Sequence, residues 1–141
     1  MKLLRFWMGK GEKLRAPPDA RADFLLRFKG VTIGMLSAAD GEWTFRYTDG
    51  FRKLGELRPI VEFPDIGKTY KSEELWPFFV MRLPSLRQPS VRDILESEAI
   101  DDTDEVALLR RFGKRAISSP FELEPTEQPV DTAAGADTLS L

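Results

Sequence analysis

The chain has no cysteine and no histidine. That removes thiolate nucleophiles, imidazole acid–base pairs, Ser-His-Asp triads and the Cys/His ligand sets of structural zinc. Catalysis would fall to a carboxylate, lysine or tyrosine, and a metal site to oxygen ligands alone. Two dense carboxylate clusters exist, Glu73-Glu74 and Asp101-Asp102-Thr103-Asp104-Glu105. Asp102-Thr103-Asp104 meets two positions of a D-x-[DN]-x-[DN]-G cation loop but lacks its glycine bend. Acids drawn to the positive end of a helix dipole account for both clusters more simply. Gly9-Lys10-Gly11 has neither the G-x-x-x-x-G-K-[ST] spacing of a phosphate loop nor a strand before it. The residues therefore point to a non-enzyme with no catalytic residue, no metal and no cofactor.

Binding chemistry is better represented. Trp43, Phe45 and Tyr47 fall on one face of an alternating segment and could stack bases, as in single-strand binders. Only Arg46 interleaves with them, and it faces the other way, so core packing is the stronger reading. Trp76 precedes Pro77 at a helix boundary, outside any clean apolar period. Two readings stay open there: an exposed interface anchor, or a ring packed on the sheet beside Phe78 and Phe79. Ser85-Leu86-Arg87-Gln88 lies between Pro84 and Pro89, which stiffens it and lowers the ordering cost of binding. Arg82 and Arg87 suit acidic or phosphate-bearing surfaces. The candidate partner-binding set is Trp76, Arg82, Ser85 and Arg87.

The elements that must position these residues follow from charge and periodicity. At 141 residues the chain has the length of one domain, with 21 Lys plus Arg against 23 Asp plus Glu. Residues 1–21 hold six bases and two acids, a net of +4, with Pro17-Pro18 and no sustained period; they read as a flexible basic arm. Residues 121–141 hold five acids and no base and read as a disordered acidic tail. Residues 22–120, with 15 bases and 16 acids, form the domain. No apolar run approaches the ~20 residues of a membrane span, so the chain is expected in the cytoplasm.

Within the domain, Phe24 to Phe28, Val31 to Met35 and Trp43 to Tyr47 alternate as strands. Lys29-Gly30, Asp40-Gly41 and Asp49-Gly50 are the turns. Ile60 to Phe63 reads as a fourth strand, kept at an edge by Pro59 and Pro64. Helical spacing then predicts helices near 77–83, 91–98 and 104–112. Ser90 to Asp93 has capping-box spacing, Asp102 or Thr103 caps the last helix, and Gly113 stops it. Strands first and helices after define an α+β fold: a small, mostly antiparallel meander followed by short helices.

The motifs also come in a telling order: V-x-I-G-M-L (Val31 to Leu36), F-R-Y (Phe45 to Tyr47), R-P-I (Arg58 to Ile60) and F-P (Phe63-Pro64). W-P-F-F (Trp76 to Phe79), R-L-P-S (Arg82 to Ser85) and L-L-R-R-F-G (Leu108 to Gly113) follow. Over residues 22 to 123 this resembles the N-terminal subdomain of HipA-type serine/threonine kinases. Where that family reads L-L-P-E-G, this chain has Arg82-Leu83-Pro84-Ser85-Leu86. The kinase core that would follow, with its nucleotide lysine, catalytic aspartate and metal ligands, is not in the chain. A free-standing subdomain resembles the HipS-type subunit of three-part toxin–antitoxin systems. The resemblance implies a non-enzymatic antitoxin that binds and restrains a HipA-like kinase toxin lacking this subdomain, with a helix-turn-helix DNA-binding protein as a third member.

The rival reading is a nucleic-acid-binding accessory protein. The basic arm favours it; the near-neutral domain and acidic tail oppose it, because duplex binders usually show a basic face.

Overall fold

The computed structural model describes residues 16–116 and 119–126. Most of the basic arm and residues 127–141 of the acidic tail lie outside the described residues.

Alternation builds the sheet. β1 (Ala22–Phe28), β2 (Val31–Ala39) and β3 (Glu42–Tyr47) form a meander in which Phe24, Leu26, Leu36, Trp43 and Phe45 are buried. Both meander turns are tight because two successive residues accept positive φ, Lys29 with Gly30 and Asp40 with Gly41. The β1–β2 register jumps from Leu26↔Gly34 to Arg27↔Thr32, so Ile33 is an extra residue in β2. Its carbonyl is not wasted, since it accepts from Thr48 N–H at 2.9 Å.

That bulge seats a helix the sequence reading took for a turn. Asp49-Gly50 opens α1 (Asp49–Leu54), which has an acid at its start, Arg52 and Lys53 at its end, and Gly55 as left-handed stop. Gly50 is required by close approach: a Cβ there would lie 2.1 Å from the Thr32 carbonyl oxygen. Packing against the bulge overrides the turn preference of the Asp-Gly pair.

The expected strand at Ile60 to Phe63 is instead a turn, closed by Phe63 N–H to the Ile60 carbonyl at 2.8 Å. Ile60 and Phe63 are buried three residues apart while Val61 is 90% exposed, a spacing no strand allows. The Tyr47 hydroxyl pins the turn, accepting from Ile60 N–H at 2.9 Å and donating to the Phe63 carbonyl at 2.7 Å. The fourth strand is β4 (Tyr70–Ser72), paired with β3.

The helices fall near their expected places, with altered ends. α2 (Pro77–Val80) is shorter than 77–83; three-residue turns from Phe79 to Arg82 and Val80 to Leu83 replace its last turn. α3 (Pro89–Ser97) begins with proline at its first position and Gln88 before it, so Ser90 does not cap it. α4 (Glu105–Phe112) is capped by neither Asp102 nor Thr103 but by Asp104, whose carboxylate accepts from Ala107 N–H at 3.0 Å.

The reading of a disordered tail from residue 121 is corrected over its first five residues. β5 (Phe121–Pro125) pairs antiparallel with β1 and buries Leu123. The sheet order is β4-β3-β2-β1-β5, antiparallel throughout, and with the short helices it makes the expected α+β fold. The packed region is also wider than 22–120, reaching from buried Ala16 to Thr126, which donates to the Asp23 carbonyl.

Both sheet edges are blunted. β4 has three residues. On the outer side of β5, Leu123 N–H donates to the Lys114 carbonyl, the Phe121 carbonyl accepts from Arg82, and Pro125 has no N–H. No helix among the described residues is long and apolar enough to cross a membrane.

Candidate interaction surface

The main core centres on Phe63, whose ring meets Phe45 at 4.4 Å, Tyr70 at 5.1 Å and Phe79 at 6.1 Å between centroids. Trp43, Phe45 and Tyr47 are buried in this core, as the patterning reading had it. Trp76 also touches it: its ring stands edge-on to Phe63 at 4.9 Å and is half-buried. The residue thus packs on the core while keeping part of its surface open.

Arg82 sits where sequence reasoning did not put it. It is 5% exposed, and its guanidinium reaches backbone carbonyls rather than solvent. Nη1 donates to Gly113 and Lys114, each at 3.1 Å, and Nη2 to Phe121 at 2.7 Å. The forked geometry of guanidinium suits this spread of acceptors. Two of the three carbonyls lie just past the end of α4, where a cation is favoured. Arg82 therefore ties α2 to α4 and β5, and its assignment as a surface contact is corrected. Its Nε is buried without an acceptor among the described residues. Burial lowers the Arg82 pKa from its ordinary value, and the charge of Glu122 opposes that.

Ser85 and Arg87 are exposed, and the Ser85 hydroxyl accepts from Arg87 N–H at 3.3 Å. The four candidates do not converge on one cavity. Of the four, Arg82 alone lines a groove of about 620 Å³ walled by Phe78, Met81, Leu83, Phe112 and Phe121, with Arg115 among its lining residues. Sequence reasoning missed these wall residues. Phe121 fell in the segment read as a disordered tail, and Met81, 70% exposed, fell within the helix expected over 77–83, where spacing gave it no separate role.

The acids of the 101–105 cluster have local employment. Asp101 Oδ1 accepts from both the backbone N–H and the hydroxyl of Thr103, which hold its pKa below the ordinary value. Asp102 pairs with Arg92 at 2.9 Å, Asp104 caps α4, and Glu105 accepts from Trp43 Nε1 at 2.8 Å. Among the described residues no group of three or more carboxylates is placed to hold a metal ion. A smaller hollow of about 300 Å³ at Arg92, Leu95 and Ile100 includes the Asp102 pair.

Residues 25–118 match the family model described as the HipA N-terminal domain. No curated protein and no solved structure gives a significant match.

Proposed function

Because the chain belongs to the HipA N-terminal domain family, we propose that it is a non-enzymatic subunit that binds a HipA-like serine/threonine kinase and restrains it. Family membership supports a toxin–antitoxin context for the chain. The observation that carries the finer reading is the apolar groove. A subdomain that packs against a kinase core presents an apolar contact face that binding covers. Here the groove is open and Met81 projects at its rim. In this reading the chain acts in the cytoplasm, needs no cofactor and performs no phosphotransfer.

The test uses the full chain with a HipA-like kinase core that lacks this subdomain. Co-expression should relieve toxicity, the two should co-purify, and the chain alone should neither hydrolyse ATP nor transfer phosphate. Free kinase activity in the presence of bound chain would overturn the restraining role.

Trp76 provides a second measurement. As an interface anchor, Trp76→Ala weakens kinase binding by ~2–4 kcal/mol. Its half-buried ring against Phe63 also predicts a stability loss below the ~3–5 kcal/mol of a fully buried tryptophan. Unchanged kinase affinity of the folded variant would remove Trp76 from the interface.

A further inference from the structure

Resting on the reading above, we infer that the groove between α2, the end of α4 and β5 seats one short segment of the partner, an apolar anchor side chain next to a carboxylate. The two halves of that specification come from different observations.

The walls call for the anchor. Phe78, Met81, Leu83, Phe112 and Phe121 line about 620 Å³, room for a few large side chains within a wider contact face. Met81 is one of two exposed large hydrophobic residues among those described, with Val61 in the turn after Pro59. An exposed methionine beside aromatic walls is an adaptable contact that gains when covered.

The charges call for the carboxylate. Arg82 lines the groove from behind, its charge held there by the carbonyls of residues 113, 114 and 121. Arg115 also lines it; its side chain is 76% exposed and lies 3.3 Å from Glu122. An ion pair that open is worth little, so its guanidinium is free to turn to an incoming acid. The exposed Arg115 cation at the edge of an apolar wall, with the buried Arg82 charge behind that wall, selects a group of negative charge beside the anchor.

The mode of entry follows from the sheet. The outer hydrogen-bonding side of β5 is already engaged by Lys114 and Arg82 and ends in Pro125, so the segment cannot add as a further strand. It must dock through side chains.

The experiment uses the full chain with labelled methionine methyl groups, the Met81 signal being assigned from Met81→Leu. Two capped synthetic peptides are titrated: Gly-Ser-Phe-Asp-Asp-Ser-Gly, and its twin with lysine at both aspartate positions. The acidic peptide should move the Met81 methyl and bind about tenfold tighter than its twin, a preference lost in Arg115→Glu. In a second arm the kinase core should move the same methyl, and Met81→Glu should weaken the complex about tenfold or more at unchanged melting temperature. Equal binding of the peptides, or a kinase complex indifferent to Met81→Glu, overturns the groove assignment while leaving the family-based reading standing. A discriminating groove with no kinase binding does the reverse. If deleting residues 127–141 alone moves the Met81 methyl, the occupant is the chain's own acidic tail. If dilution alone moves it, the occupant is a second copy. Either result overturns the assignment to a partner.

Discussion

The two ends of α4 are each held by a charged side chain taken out of water, and the two ties differ in kind. At the start of the helix Glu105 is 3% exposed and accepts one side-chain bond, from Trp43. At its end Arg82 is 5% exposed and donates to three carbonyls. Each sign suits the helix dipole at its own end. Burial pushes the Glu105 carboxyl above its ordinary value; the Trp43 bond pulls it back, and the charges of Glu74 and Asp104 add to the rise. Arg82 keeps its charge at any working pH, because guanidinium is not deprotonated in proteins. A guanidinium spread over carbonyls is a permanent tie, while a carboxyl on one indole donor depends on pH.

The largest expected effect breaks the permanent tie. Arg82→Met leaves three carbonyls without their donor and should destabilise by ~3–5 kcal/mol in urea unfolding. A loss under ~1 kcal/mol would mean that water replaces the guanidinium at little cost. At the other end, Trp43→Phe keeps an aromatic but loses part of the buried indole and strands a buried acid, and should cost ~1–3 kcal/mol. Removing the cap next to Glu105, Asp104→Ala, should cost about 1 kcal/mol, read as a lower melting temperature.

The smallest effect is the most diagnostic. With its folded pKa raised, the Glu105 contribution is fully present below the ordinary 4.5 and is lost as pH rises through the raised folded value. Asp101 runs oppositely: its contribution is present above 3.8 and is lost as pH falls through its lowered value. Glu105→Gln keeps an acceptor for the indole and removes the charge. It should gain about 1 kcal/mol or less at neutral pH and flatten the fall of stability from acid toward neutral. An unchanged pH profile would show that Glu105 is not the titrating tie.

Much of the scaffold was legible. Asp40-Gly41 announces its hairpin because few residue types accept positive φ at two successive positions, and Lys29-Gly30 does so through its glycine. The failures share one cause, which is tertiary contact. Asp49-Gly50 makes a helix because the bulge at Ile33 leaves room only for glycine. Ile60 to Phe63 turns because a distant tyrosine hydroxyl holds both its ends. β5 looked like tail because its acids face outward, Glu124 toward Arg27 at 3.7 Å and Glu122 toward Arg115 at 3.3 Å, with only Phe121 and Leu123 marking the core. The partner-binding set was harder still. Spacing shows where an arginine sits in the chain, and not whether carbonyls from residues 113, 114 and 121 will surround it.

The pairing of β5 with β1 also sets an order of events at the ribosome. Phe28 and Phe121 stand opposite each other with 92 residues between them, so the second flank of β1 stays open until nearly the whole domain has been synthesised. Arg82 waits as long for its Phe121 acceptor. Such a late, long-range closure is slow relative to the hairpins that precede it. A nascent chain stopped just before Phe121 would expose one full edge of β1 and the core face that Leu123 later covers, the features through which unfinished chains pair with each other.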